Sequence, residues 1–326
     1  MPIDQVAQCV DATPDSEPSE LMRAAQRGDL GEVQALIDAG ADVNAADHVG
    51  MTALLYAADW GHDGIMRALM AAGADIHAAD RYGVTALMLA VNGNSAAAMQ
   101  CVLEHRVDVN ARDAAGRTAL MYALDKDALY AVDALVLAGA RVDAADATGM
   151  PALMQAAFVG AEFIMERLLR AGANPDDRNA SGSTALMYAV DGEEGQRGGA
   201  VALLLSYGAD IDAVDGHGNS AVMRAALAGK WGLFNILKAQ GANMDLANCH
   251  GLTPADVLMF SYQEDESEPD EEDIPTLTRL EAVETVAAET AADSGYSWHA
   301  ADDVLNQAFD ATMLPAEAVG AAFENP

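Results

Sequence analysis

Between residues 19 and 262 the apolar positions alternate between two patterns, and the pair of patterns recurs with a period of 33 residues. The first is a short run rich in small residues: Thr52-Ala-Leu-Leu, Thr85-Ala-Leu-Met, Thr118-Ala-Leu-Met, Pro151-Ala-Leu-Met, Thr184-Ala-Leu-Met and Ser220-Ala-Val-Met. The second is a stripe at helical spacing, such as Ile65, Leu69 and Met70. Polar punctuation separates them. In the unit from Asp47 to Ala79, Asp47-His-Val-Gly50 is turn chemistry, and Thr52 is placed to cap a short helix. Ala53, Leu54, Ala57 and Ala58 give that helix a small-residue face, Gly61-His62 breaks it, and Gly73-Ala-Asp75 stops the second helix. Each unit therefore reads as turn, helix, turn, helix, loop. A unit this small cannot bury its apolar face alone, so a fixed period of this length predicts a stack of such units.

The turn glycines keep the register: Gly50, Gly83, Gly116, Gly149 and Gly182, then Gly218 after a 36-residue step, then Gly251. The stop recurs as Gly40-Ala-Asp42, Gly73-Ala-Asp75, Gly139-Ala-Arg141, Gly172-Ala-Asn174, Gly208-Ala-Asp210 and Gly241-Ala-Asn243, with one degenerate copy at His105-Arg106-Val107-Asp108. This set of motifs resembles the ankyrin repeat over roughly residues 19–262. The resemblance implies an all-α ankyrin-repeat solenoid of about eight units, the first and last acting as caps. Two departures stand out. Met88, Met121, Met154, Met187 and Met223 occupy the place of the family's histidine, which ties helix to turn; Met can contribute there only by packing. A methionine-rich contact surface or an oxidation sensor is the alternative to a core column. The stretch Gly192-Glu-Glu-Gly-Gln-Arg-Gly-Gly199 inserts three residues between the two helices of one repeat.

The ends differ from the middle. Residues 1–18 read as a disordered acidic N-terminus, and Ser19 as the N-cap of the first capping helix. After Leu252-Thr-Pro-Ala-Asp-Val-Leu-Met-Phe260 the pattern fails. Residues 263–275 form an acidic linker, and 276–326 a partly helical C-terminal tail. Within the tail, Thr276 to Ala288 can return as the second helix of the cap or stand free. The segment from Trp298 to Leu314 can dock on a partner or on the chain's own repeats.

The net charge is −34. Residues 261–326 carry −16 of it and the repeats −13, with only Lys126, Lys230 and Lys238 as lysines. Nucleic-acid binding runs on phosphate neutralisation by Lys and Arg, so no nucleic-acid partner is expected. A basic partner would be steered toward this surface, unless the acidity only reflects habitat. No apolar run reaches the ~18 residues of a membrane span. Cys9, Cys101 and Cys249 show no ligand spacing, and the odd count fits a reducing, cytoplasmic setting. The histidines form no metal-binding pair and no glycine loop is of the phosphate-binding type, so neither enzyme, cofactor nor metal is implied.

Recognition remains, and the expectation is a monomeric scaffold with a protein partner. In the family, partners meet a concave face made of hairpin tips and the exposed side of the first helix. Carried onto this chain, the resemblance points to Trp60, Arg81, Tyr82, Arg117 and Phe158 as anchors, with His48, Lys126 and His217 beside them. Val49, Met51, Val84 and Met150 fall at tip positions as well. Two other roles stay open. One is an acidic inhibitor or immunity-type protein masking a basic target such as a nuclease. The other is an adaptor regulated by its own tail.

Overall fold

The computed structural model describes residues 18–126, 128–192 and 197–261. The expected N-terminal disorder, the acidic linker, the cap-completing helix and the tail segment all lie outside these residues, as do residues 193–196 of the insertion. Within them the chain forms fifteen helices and no strand longer than isolated bridges. They come as pairs: α1 (Glu20–Arg27) with α2 (Leu30–Asp38), α3 (Ala53–Asp59) with α4 (Asp63–Ala71), and α5 (Ala86–Asn92) with α6 (Ala96–Leu103). Next come α7 (Ala119–Asp125) with α8 (Leu129–Leu137), α9 (Ala152–Val159) with α10 (Glu162–Arg170), and α11 (Ala185–Asp191) with α12 (Arg197–Ser206). The series ends with α13 (Ala221–Leu227), α14 (Trp231–Ala239) and α15 (Pro254–Ser261). First helices pack on first helices and second helices on second helices along the stack, so the solenoid has two helical layers.

A shared turn joins the repeats. The Asp47 Oδ1 atom accepts from the backbone N–H groups of Val49 and Met51, both at 2.9 Å. Asp80, Asp113, Asp146, Asn179, Asp215 and Asn248 accept in the same way at their own turns. Successive tips then bond to each other, as Arg81 N–H to the Val49 carbonyl at 2.9 Å and Ala114 N–H to the Tyr82 carbonyl at 2.7 Å. This close approach explains the glycine period. Gly50 has φ +86, and a Cβ there would stand 2.8 Å from the Arg81 nitrogen.

The two layers differ in burial. In the first layer every residue of Ala53–Ala58 is buried, and likewise Ala86–Val91, Ala119–Leu124 and Ala185–Val190. These helices have a neighbour on each side, a second helix behind and hairpins at one end, so no polar stripe survives. The second helices bury one stripe only, as Ile65, Met66 and Leu69 do in α4. The methionine column lies in the core: Met88, Met121, Met154, Met187 and Met223 are 0–1% exposed. Cys101 is buried there too.

Caps follow the sequence in part. Ser19 Oγ accepts from Met22 N–H, and Thr52, Thr85 and Ser220 cap their helices in the same way. The Thr118 and Thr184 hydroxyls do not, and both are buried without a partner.

Candidate protein-binding surface

The tie that the family histidine normally makes has moved by one residue. Four positions after the capping Thr, the side chain reaches back to the second oxygen of the turn carboxylate. Tyr56 donates its hydroxyl to Asp47 at 2.8 Å, and Tyr122 donates to Asp113 at 2.9 Å. Asn179 donates to the Tyr188 hydroxyl at 2.8 Å, and Gln155 to Asp146 at 3.3 Å. Arg224 closes the series on Asp215 at 2.6 Å. Burial, reinforced by Asp47 and Asp113, holds the Tyr56 and Tyr122 hydroxyls well above the usual tyrosine range, so both stay donors. The recurrence of Tyr56, Tyr122 and Tyr188 at 66-residue steps was the available sequence signal for this role.

These ties change what the face of tips and first helices can offer. The position before the capping Thr points into the stack: Met51, Val84, Met150, Ser183 and Asn219 are all buried, and so is Val49. Arg117 stands at that same position. It is 2% exposed, stacks 4.5 Å over the Tyr122 ring and pairs with Asp125. Burial works to lower its pKa, but Asp125 and its other neighbours hold it above the ordinary arginine value. Its guanidinium is thus used internally, and the expectation of Arg117 as an anchor is corrected to that of a support for Asp125.

The other expected residues are placed as follows. Trp60, at the C-terminal end of α3, is 49% exposed. Arg81 is exposed at its tip, with its guanidinium 4.7 Å from the Tyr82 ring centre and bonded to the Tyr82 hydroxyl. Lys126 is exposed after α7. His48 and His217 are half-buried. Phe158 is half-buried too, edge-on to Tyr188 with ring centres 6.2 Å apart, which gives it a packing role between repeats. Arg81 and Tyr82 are in direct contact with each other. The first helices present no long exposed side; access is confined to their C-terminal ends and to the tips.

Those helix ends carry most of the electrostatics. Asp59, Asp125 and Asp191 each close a first helix. Burial pushes Asp59 up to about 6, against a hydrogen bond from Asn92 and the more distant charge of Lys126. Asp191 is also raised by burial, although Arg224 and Lys230 oppose this. The carbonyls exposed at these ends are capped from the following repeat. The His62 ring meets the Gln26 carbonyl at 3.2 Å, and Lys230 Nζ donates to the carbonyls of Val190, Asp191 and Gly192 at 2.7–2.9 Å. Arg197 reaches those of Ala157 and Phe158. Among the described residues no group of three His, Cys, Asp or Glu side chains is placed to hold a metal ion, and no helix is long and apolar enough to cross a membrane.

Comparison with known proteins agrees with this geometry. The family profile described as ankyrin repeats (3 copies) matches residues 6–80, 64–146, 126–215 and 153–248. No curated protein sequence matches the chain. Among solved structures, the chain is similar to the ankyrin repeat domain of Bcl-3, described as a unique member of the IkappaB protein family. The two share 26% identity and a TM-score of 0.52, over 74% of this chain and 94% of that one. Ankyrin repeats are generic protein–protein interaction modules, and the chain belongs to the ankyrin-repeat family.

Proposed function

We propose that this protein is a non-catalytic scaffold that binds a protein partner on the concave face, through the hairpin tips and the C-terminal ends of the first helices. The observation that carries this reading is Trp60, a large ring left 49% exposed at the end of a first helix whose residues Ala53–Ala58 are all buried. Interface energy concentrates in Trp, Tyr and Arg side chains, and the Arg81–Tyr82 pair supplies the other two. Hydrogen bonds between successive tips pre-order this surface, so association requires little backbone movement. His48, His217 and Lys126 belong to the same surface as secondary contacts, and Phe158 as a packed support. Cys101 and Cys249 are both unpaired, which suits the cytoplasm.

The test is capture of a partner from native lysate by the intact chain and by a Trp60→Ala/Tyr82→Ala variant, at low and high salt. A partner held by the wild type, lost by the variant and resistant to salt is the expected result. The net charge of −34 favours the second reading, an acidic protein that masks a basic target. That reading gains if the same partner is retained by both chains and stripped by salt.

A further inference from the structure

Three acids close first helices at equivalent positions: Asp59, Asp125 and Asp191. A carboxylate at a helix C-terminus is opposed by the helix dipole, and a neighbouring cation offsets this. For two of them the chain provides an arginine. Arg117, from the same repeat, pairs with Asp125 while lying over the Tyr122 ring. Arg224, from the following repeat, pairs with Asp191 at 2.5 Å. The repeat symmetry thus shows which ligand this position takes: a guanidinium, entering from either of two directions.

At Asp59 the same framework stands without its arginine. Tyr56 holds Asp47 as Tyr122 holds Asp113. But Met51 occupies the place of Arg117, and Leu89 the place of Arg224; both are buried and apolar. Asp59 has a hydrogen bond from Asn92 and the distant charge of Lys126, and no ion-pair partner among the described residues. Met51 and Leu89 thus leave no arginine of the chain at the places from which Arg117 and Arg224 reach their acids, and Trp60, the residue next to Asp59, is 49% exposed.

We propose that Asp59 and the exposed ring of Trp60 form a seat for an arginine side chain of the protein partner, which takes there the part that Arg117 and Arg224 play inside the chain. This rests on the concave-face reading above. A guanidinium suits the site better than an ammonium, because it pairs side-on with a carboxylate and stacks on an indole face. The acidic repeats favour a basic segment as the occupant.

The experiment uses the full chain carrying Trp231→Phe and Trp298→Phe, so that Trp60 alone reports. A blocked tetra-arginine peptide is titrated at near-physiological salt, with a tetra-lysine peptide in parallel. A saturable Trp60 fluorescence change is expected, with the arginine peptide binding more tightly. Asp59→Asn should weaken it about tenfold, the scale of one lost charge-assisted contact. Glu166→Gln, on outer helix α10, should leave it unchanged. Met51→Arg, which supplies an internal guanidinium as in the Arg117 repeat, should likewise weaken binding. On acidification from pH 7.5 to 5 the affinity should fall for the wild type and not for Asp59→Asn. That variant keeps the other titratable groups nearby, Tyr56, His62 and Lys126. Equal affinities for wild type, Asp59→Asn and Glu166→Gln would overturn the seat, as would the absence of any Trp60 change. If the Trp60→Ala/Tyr82→Ala variant still loses the lysate partner in that event, the scaffold reading survives without it.

Discussion

The two halves of the solenoid solve the same problem with different chemistry. Every first helix ends in unsatisfied carbonyls, and the following repeat must supply donors for them. In the N-terminal half the partners are an imidazole and a hydroxyl: the His62 ring at Gln26, and the Ser95 hydroxyl 3.5 Å from the Gly61 carbonyl. In the C-terminal half they are full cations, Arg197 and Lys230, and a buried arginine joins two carboxylates beside them. The change coincides with the insertion between Gly192 and Gly199. Where the turn between helices lengthens, the short histidine-type cap is replaced by long side chains that reach across. The lesson is that repeats which look alike in apolar pattern can be held together by different forces, and so should fail under different challenges.

The largest effect is expected at Arg224. Arg224→Met removes the arginine that joins the buried Asp191 and Asp215 and leaves Asp191 only the charge of Lys230, which costs about 3–5 kcal/mol for a broken buried pair. His62→Ala should cost about 1 kcal/mol, the net worth of one ordinary hydrogen bond. Urea denaturation of both variants checks the contrast. Equal losses would mean that the halves are held alike.

A second contrast lies in close approach. At Gly93 a Cβ would stand 2.0 Å from the Asp59 carbonyl oxygen, a backbone atom that cannot move away. Gly93→Ala should cost about 1–3 kcal/mol as an overpacked contact. At Gly199 the atom in the way is the Glu162 carboxylate, 1.9 Å from an added Cβ, and that side chain can swing aside. Gly199→Ala should therefore be neutral or slightly stabilising, since Ala is favoured over Gly within a helix. Thermal denaturation separates the two, and a loss at Gly199 matching that at Gly93 would contradict the reason given.

Smaller still is Tyr56→Phe, which removes the hydroxyl on Asp47 and should cost about 1–2 kcal/mol by denaturant titration. Loss of less than about 0.5 kcal/mol would show that Asp47 is held by its backbone donors alone. The smallest effect is a pH dependence. The folded-state pKa of Asp59 is raised to about 6 from 3.8, so its charged form is disfavoured on folding. Its contribution to stability is fully favourable below about 3.8 and is lost as pH rises through about 6. Asp59→Asn should be more stable than wild type at pH 7 by on the order of 1 kcal/mol, after allowance for solvent screening. The difference should vanish near pH 4, and a gap that persists there would remove Asp59 as its source.

Much of the fold was legible because its signals are local. A turn glycine, a capping Thr and a helix-stopping glycine act through their own backbone geometry, so Gly50, Thr52 and Gly73 announce themselves in one dimension. The methionine column was legible for the same reason: a fixed place in a periodic pattern has one environment. Candidate surface residues were read less well. Arg117 and Tyr82 sit on similar hairpins by count, yet one is sealed over Tyr122 and the other remains at the tip. Arg117's partners Tyr122 and Asp125 lie only five and eight residues along, but spacing does not say which way a side chain turns, and the burial that seals Arg117 exists only in the stack.

The sequence alone determined the repeat, its length, the order of its helices and the excess of acid over base, because each follows from residue type and spacing. Only the tertiary structure decided that the first helices would be buried up to their C-terminal ends, that a Tyr, Gln or Arg would take over the missing histidine's tie, and that Asp59 would stand without the arginine its counterparts have. Stacking sets these outcomes: each repeat's environment is built by its neighbours, and burial and charge pairing exist only once the neighbours are in place.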